Sequence, residues 1–267
     1  MLTACAGFFL AAQGGVDFEL LLATLAGTSL VIGSACVFNN YMDRDIDRLM
    51  ARTKKRALVS GAISGKNALI FGTILGLLGV LILTIYTNLV TLYIGLLGFV
   101  AYVVLYGYYK RRSVHGTLVG TISGAVPPVA GYTAVTGRLD TAALILFAIL
   151  VFWQMPHFYA IAMYRLKDYA AAGIPVLPVK KGMRITKIQV LLYIVGFTIT
   201  SALLTVFGYA SCGYLIVALL LGLSWFALGI RSFKAKDETL WGRKMFLRSL
   251  IVISLLCLTI SIDSFVR

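Results

Sequence analysis

Three side chains that end in oxygen-bearing groups recur at four-residue spacing, at Asn39, Asp43 and Asp47. On a helix this spacing places them along one face, with Asn40 beside Asp43 and with Asp45 turned away. Carboxylate and amide oxygens arranged in this way suit Mg²⁺ rather than zinc. The pattern therefore predicts a magnesium site at this end of a helix.

Cations follow directly after these acids, at Arg48, Arg52 and Lys54. Proteins usually hold Mg²⁺ through one or two carboxylates, waters and substrate phosphate, and Arg or Lys binds the remaining phosphate oxygens. We therefore expect a metal-bound diphosphate, which favours an enzyme over a carrier or a channel. The alternative is a solvated helix end where aspartates balance arginines, and Asp45 with its flanking arginines fits that description.

A second polar stretch, beginning at Tyr164, contains Lys167 and Asp168. Asp168 is the acid expected to complete the diphosphate site, with Lys167 beside it and Tyr164 about one helical turn earlier. The glycine and prolines of segment 173–178 predict a shaped, non-helical loop. That loop could cover a ligand or serve as a rigid connector.

His157 follows Pro156 inside an apolar run, about 12 Å below the second polar stretch at a rise of 1.5 Å per residue. Histidine at such a depth is typical of functional sites in membrane proteins. We therefore expect His157 to contact substrate. The alternative is a neutral imidazole that is hydrogen-bonded to a neighbouring helix.

The chain that must position these residues has 267 residues, of which 60% are hydrophobic and 13% are charged. Soluble domains carry about 25% charged residues, so the composition predicts a polytopic membrane protein, with residues 1–267 forming one domain. The net charge of +14 is spread over loops between apolar runs, which indicates topology signals that face anionic lipid rather than nucleic-acid binding.

Eight apolar runs approach the roughly 20 residues that a bilayer requires. They cover residues 18–38, 68–86, 89–109, 116–135, 141–164, 188–209, 214–232 and 249–264. The run from Leu2 to Ala12 is too short to span alone. We expect it to be the end of a first span that begins before residue 1, which makes nine spans in an all-α bundle.

The loops 39–66, 110–115, 165–187 and 231–248 lie at one end of this arrangement, which we call the cation-rich end. They contain every lysine and arginine except Arg138 and Arg267, so the positive-inside rule predicts that this end is cytoplasmic. Both polar stretches lie there, and four spans separate them. This spacing predicts two related halves with the site between them.

These motifs resemble those of the UbiA superfamily of intramembrane prenyltransferases. Its first signature, Asn-Asp-x-x-Asp-x-x-x-Asp, is matched by residues 39–47 with Asn40 in place of the first acid. Its second, Asp-x-x-x-Asp, reads Tyr164-x-x-x-Asp168, which removes one candidate metal ligand. That departure, together with segments 124–128 and 153–158, is similar to the subgroup that farnesylates protohaem IX. The resemblance extends along nearly the whole chain.

The resemblance implies a nine-helix bundle in the bacterial inner membrane that moves farnesyl from farnesyl diphosphate to a vinyl group of haem B. Water then completes the product, haem O. The implied partners are Mg²⁺, both substrates and the lipid bilayer, with a haem A synthase or a terminal oxidase receiving the product; nucleic acid is not expected.

On this hypothesis the metal is held by Asp43, Asp47, Asn39 and Asp168, and Lys167 joins the three aspartates in catalysis. The residues assigned to substrate binding are Asn39, Asn40, Arg48, Arg52, Lys54, Tyr164 and His157. Aromatic faces such as Tyr41, Tyr164 or Phe152 are candidates to stabilise the allylic cation. His157 is the candidate haem contact, through iron or a propionate.

Three other functions are alternatives for a chain with these motifs. A quinone-pathway prenyltransferase, acting for example on 4-hydroxybenzoate, would share the metal site, but Tyr164 and the His157 segment favour haem. A secondary transporter should show ionisable groups or broken helices near the midplane, and Pro127-Pro128 is the only comparable break. A CDP-alcohol phosphotransferase would need an Asp-Gly-x-x-Ala-Arg run, which the sequence lacks.

Overall fold

The computed structural model describes residues 1–266, and every regular element in that range is helical. A short apolar helix, α1 (Leu2–Ala12), precedes eight helices that are long and apolar enough to cross a membrane. These are α2 (Phe18–Met42), α3 (Gly65–Tyr86), α4 (Leu89–Tyr109), α5 (Gly116–Thr136), α6 (Thr141–Tyr164), α7 (Leu177–Val206), α8 (Cys212–Lys234) and α9 (Glu238–Val266). The all-α membrane fold is confirmed, whereas a ninth full span remains a prediction.

Two helices begin earlier than predicted. α7 starts at Leu177 and α9 starts at Glu238, whereas the apolar runs begin at residues 188 and 249. Lysine and arginine end an apolar run but are good helix formers, so the helices continue past the hydrophobic segment into the cation-rich end. Gly182, with φ of 80°, forms a kink that separates the first turns of α7 from the rest of the helix.

The opposite end of the bundle is fixed by side chains that cap helix starts. Asp17, Asn88, Asp140 and Ser211 accept hydrogen bonds from backbone N–H groups in the first turns of α2, α4, α6 and α8. Unpaired N–H groups at a helix start are costly where water is scarce. The four caps share one end, which fits the predicted alternation of the spans.

Most helices that follow one another in sequence pack side by side, and α1 lies against both α5 and α9. The contact between α1 and α5 is made by backbone. A Cβ added to Gly7 would lie 2.0 Å from the carbonyl oxygen of Pro128, and one added to Gly131 would lie 2.0 Å from that of Ala4. Only glycine allows helices in a membrane to approach this closely.

One helix changes its winding near the cation-rich end. Between Ala101 and Tyr106, α4 widens into a π-helical segment, and π segments inside helices often occur at functional sites. The segment carries Tyr102 and Tyr106, whose rings stack with centroids 5.5 Å apart. The two rings face the space between α4, α5 and α6.

Candidate functional site

The first polar stretch is buried at the cation-rich end. Asn39, Asp43 and Asp47 are all buried, as a shared helical face predicts. α2 ends at Met42, and a short helix, Arg44–Asp47, follows. The N–H of Asp47 still donates to the carbonyl of Asp43 at 2.8 Å, so the backbone remains helical. Residues four apart therefore still lie on one face.

A lysine directly after the end of α4 binds two of these side chains. Lys110 donates from Nζ to Oδ1 of Asn39 at 2.7 Å and to Oδ2 of Asp43, and only 8% of its side chain is exposed. Burial lowers the pKa of Lys110, while the charge of Asp43 acts in the opposite direction. Lys110 was not among the predicted residues, although it lies four residues after Tyr106 and eight after Tyr102, a spacing that places the three on one helical face.

A second cation binds the other two residues of the stretch. Arg56 donates to Oδ2 of Asp47 at 2.7 Å and to Oδ1 of Asn40 at 2.9 Å. Asn40 and Arg56 line a separate hollow of about 400 Å³ beside α2 and α3. Lys110 and Arg56 therefore bind different parts of the first polar stretch, and Arg111 also reaches Oδ1 of Asp43 at 3.3 Å.

Asp45 points away from the buried face, with 62% of its side chain exposed. Its partner is Arg111, which makes hydrogen bonds of 2.8 and 2.9 Å to the two carboxylate oxygens. These bonds lower the pKa of Asp45 to about 2 and raise that of Arg111. Asp45 is a balanced surface acid as expected, but the cation is not one of the arginines that flank it.

A cavity of about 170 Å³, which we call the upper cavity, lies beside Lys110. Its walls come from α4, α5 and α6 and from the second polar stretch. They include Tyr106, Lys110, Gly120, Phe158, Tyr169 and Ile174. Because Lys110 binds Asp43 and Tyr169 adjoins Asp168, the two polar stretches meet at this cavity.

The second polar stretch folds back on itself to reach the cavity. A short helix, Leu166–Ala171, is followed by Gly173 with φ of 65°, and the N–H of Ile174 donates to the carbonyl of Tyr169 at 3.0 Å. The predicted non-helical loop therefore extends from 172 to 176. It does not reach Pro178, which lies in the first turn of α7, where proline fits a helix start.

The predicted ligands of the two stretches do not touch within residues 1–266. Asp47 pairs with Arg56, and the cation nearest to Asp168 is Arg165, at 3.9 Å. Across those residues, no group of three His, Cys, Asp or Glu side chains lies close enough to hold a metal ion. The structure thus joins the stretches through a cavity and not through a carboxylate cluster.

The remaining predicted cations are accessible. Arg48, Arg52, Lys54 and Lys167 are exposed. Arg52 is close enough to Tyr169 to oppose the rise in the tyrosine's pKa that burial causes. Arg52 therefore brings a positive charge from the first loop towards the second.

The donor set still fits Mg²⁺. Asn39, Asp43 and Asp47 offer buried amide and carboxylate oxygens, and Mg²⁺ needs only one or two carboxylates when water and phosphate supply the rest. Lys110 and Arg56 neutralise these acids in the structure and would have to share them with the ion.

A second cavity, of about 260 Å³, lies between α2, α4 and α5, and we call it the deep cavity. Its walls are mainly apolar and include Val31, Phe99 and Pro127. Tyr102 lines both cavities. A polar head in the upper cavity could therefore continue as an apolar tail in the deep one.

His157 is buried in α6, where its Nδ1 lies 2.7 Å from Oγ of Ser249 on α9. Its ring stacks on Trp153 with centroids 4.8 Å apart and contacts Phe246 at 5.0 Å. Because the Ser249 hydroxyl donates to the carbonyl of Phe246, the proton of the His157 contact belongs on Nδ1. This geometry matches the alternative of an imidazole bound to a neighbouring helix, and a haem contact stays a prediction.

The aromatic rings proposed to stabilise a cation lie elsewhere. Arg44 covers the ring of Tyr41 at 4.3 Å, and Phe152 packs against Gly196. Tyr164 lies between Phe246 and its own neighbour Arg165. The rings that line the cavities are instead Phe99, Tyr102, Tyr106, Phe158 and Tyr169.

Comparison with known proteins places this geometry in context. A model of the UbiA prenyltransferase family matches residues 1–251. The chain is 52% identical over 263 residues to "Protoheme IX farnesyltransferase" of Protochlamydia amoebophila strain UWE25, covering 98% of this chain and 93% of the relative. It is 49% identical over 264 residues to the protein of the same name from Yersinia pseudotuberculosis strain IP 31758, covering 98% and 90%.

Solved structures share the fold at low identity. A structure described as digeranylgeranylglyceryl phosphate synthase superposes with a TM-score of 0.81 at 19% identity, over 99% of this chain and 92% of the other. A UbiA homolog from Archaeoglobus fulgidus bound to GPP and Mg²⁺ superposes with a TM-score of 0.76 at 14% identity, over 97% and 94%.

Proposed function

Because the chain belongs to the UbiA prenyltransferase family, we propose that it transfers farnesyl from farnesyl diphosphate to a vinyl group of haem B, forming haem O. The two relatives named protoheme IX farnesyltransferase support the choice of acceptor. The observation that carries the proposal is the pair of cavities that share Tyr102, one beside buried charge and one apolar. Such a pair fits a diphosphate head joined to a hydrocarbon tail.

The head binds in the upper cavity. Asp43, Asp47, Asn39 and Asp168 would hold Mg²⁺ once Asp168, which does not contact the other three in this structure, approaches them. The ion would neutralise phosphate oxygens and make diphosphate a better leaving group. Lys110 turns from Asp43 towards the phosphates. The exposed side chains of Arg48, Arg52, Lys54 and Lys167 add positive charge as the C–O bond breaks.

The tail lies in the deep cavity, and the reacting carbon lies near Tyr102 and Tyr106. These two rings line the upper cavity, whereas Tyr41 and Phe152 do not, so their faces are the better placed to stabilise the allylic cation. Lys110 lies 5.1 Å from the centre of the Tyr106 ring and leaves it when it turns towards the phosphates. The apolar walls keep water from the cation until the vinyl group attacks.

The acceptor is haem B, with His157 assigned to contact it. The contact would use Nε2, because Nδ1 is already bound to Ser249. The proposal also places the cation-rich end in the cytoplasm of a bacterium and the bundle in its inner membrane. A haem A synthase or a terminal oxidase would take up the product.

The test uses the purified protein in lipid nanodiscs with haem B, farnesyl diphosphate and Mg²⁺, and follows the haem by mass spectrometry. We expect a haem whose added mass equals a farnesyl group plus the elements of water, and its loss when a chelator is present. A parallel reaction with 4-hydroxybenzoate tests the quinone alternative. Prenylated 4-hydroxybenzoate with unchanged haem would refute the choice of haem B as acceptor.

A further inference from the structure

Gln154 is a buried polar side chain in the interior of α6, with only 4% of its surface exposed. Its Nε2 donates to the carbonyl of Thr121 at 3.2 Å and to that of Leu150 at 3.1 Å. Because both partners are acceptors, the amide can take only this orientation, and Oε1 points away from them. Among the residues that the structure describes, the side-chain hydrogen bonds of Gln154 are these two, both made by Nε2, so Oε1 is available to accept. An acceptor inside a membrane favours binding a donor.

The adjoining turn of α5 supplies more acceptors. Oε1 lies against Gly124, where an added Cβ would be 1.9 Å from it. Pro127 and Pro128 have no N–H, so the carbonyls of Ser123 and Gly124 lack the donors that a regular helix provides four residues later. The N–H of Ala125 is directed at the carbonyls of Thr121, Ile122 and Ser123, so the Ser123 carbonyl receives at most a shared donor. Oε1 of Gln154 therefore lies beside two backbone carbonyls that lack their usual helical donors.

This cluster of acceptors lies where the two cavities meet. Gly120 lines the upper cavity, whereas Ser123 in the next turn of α5 lines the deep one. On α6, Gln154 lies one turn below Phe158, a wall of the upper cavity, at a distance of about 6 Å along the axis. Under the proposed function, the reacting carbon of the farnesyl group lies at this junction.

We propose that Oε1 of Gln154 holds the water molecule that hydrates the haem after farnesyl transfer, an inference that rests on the proposed function. Water has two protons to donate, so it suits a site that offers acceptors. One O–H donates to Gln154 and the other to the carbonyl of Ser123 or Gly124. Its oxygen lone pairs then remain available to a cation.

The chemistry balances without a further reactant. The C–O bond of farnesyl diphosphate breaks, and its electron pair leaves with diphosphate. The vinyl π electrons form the new C–C bond and leave a cation on the carbon attached to the porphyrin. The bound water gives a lone pair to that carbon, and its proton passes to the released diphosphate. Without the water, the cation loses a proton from the adjacent carbon and becomes an alkene.

The ratio of the two products therefore reports on Gln154. Gln154→Met keeps the length of the side chain and removes the acceptor, and we expect most of its farnesylated haem to be the alkene, lighter by one water. Gln154→Glu, when protonated, keeps an acceptor and offers an O–H to Thr121, and we expect it to restore the hydrated product. In water labelled with heavy oxygen, the wild type should incorporate the label.

A merely structural role makes a different prediction. If Gln154 only joins α5 to α6, Gln154→Met will lose total product while the ratio of alkene to hydrated haem stays at the wild-type value, and the proposal is overturned. A wild type that makes no farnesylated haem would instead remove the proposed function itself.

A second variant covers the case in which Gln154→Met does not fold. Gly124→Ala keeps the amide but places a Cβ where Oε1 lies, so it should also raise the alkene fraction. Gly33→Ala is the matched control, since its Cβ would meet only Leu75, at 3.6 Å. An unchanged product ratio in folded Gly124→Ala contradicts the proposal.

Discussion

Lys110 and Asp43 are 67 residues apart in the chain and form a buried ion pair beside the upper cavity. The pair ties the end of α2 to the end of α4, the helix whose π-helical segment carries Tyr102 and Tyr106. The residue that positions the first acid is therefore also part of the cavity wall.

Asp43→Asn should abolish most turnover. The amide keeps the shape but removes the negative charge that the proposed Mg²⁺ site requires, and we expect kcat to fall by roughly 10²-fold or more. The assay is haem O formation in nanodiscs. Asp45→Asn is the matched control, because Asp45 is exposed and paired with Arg111, and near-wild-type activity is expected. Near-normal turnover by Asp43→Asn would remove the metal assignment.

The pH dependence of kcat/KM should report Lys110. Because burial lowers its pKa, the alkaline loss of kcat/KM for farnesyl diphosphate should begin below the ordinary lysine value of about 10.4. In Lys110→Arg the guanidinium stays charged, so the alkaline limb should move to higher pH. Arg112→Lys, on the exposed side of the same loop, serves as control. If kcat/KM falls at the same alkaline pH in the wild type and in Lys110→Arg, Lys110 is not the titrating group.

Asp45 should stabilise the protein except in acid. Its pKa is about 2 in the folded state, against about 3.9 for an unperturbed aspartate. The Arg111 contact therefore contributes stability above pH ~3.9 and loses it as the pH falls towards 2. Since Asp45 is mostly exposed, the contribution should stay below about 1 kcal/mol. Thermal unfolding of wild type and Asp45→Asn across this range should show the two converging in acid.

Gly7→Ala should destabilise the contact between α1 and α5. The added methyl would lie 2.0 Å from the backbone oxygen of Pro128, and overpacking of this kind costs about 1–3 kcal/mol. Gly33→Ala adds a methyl whose one neighbour is Leu75, at an ordinary contact distance of 3.6 Å. Because alanine has a better helix propensity than glycine, stability should stay equal or rise slightly. Thermal unfolding in detergent compares them. Equal melting temperatures for both variants would show that α1 can shift away.

Hydropathy predicted the helical membrane fold because a bilayer imposes a minimum length on each span. It placed the starts of α7 and α9 too late, since a helix that leaves the lipid need not stop at its first cation. Spacing predicted that Asn39, Asp43 and Asp47 share a buried face. The same spacing predicted that Asp45 points away from that face, and its side chain is exposed.

Partners distant in the chain could not be read from spacing. The cations that bind Asp43 and Asp45 come from the loop after α4, and nothing local to the acids points to Lys110 or Arg111. The π-helical segment has no sequence signature that periodicity detects, so the tyrosines of the cavity walls were missed as well. The role of the predicted ligand set remains a prediction.

The internal ion pair also has a consequence for the order in which substrates load. A divalent ion that binds Asp43 alone would leave the buried Lys110 ammonium without its partner. A diphosphate that binds Lys110 alone would leave the buried Asp43 carboxylate without its partner. Delivered as one complex, the two newcomers satisfy both partners at once. Under the proposed function, the buried pair would therefore favour binding of the magnesium salt of the donor over binding of either component alone.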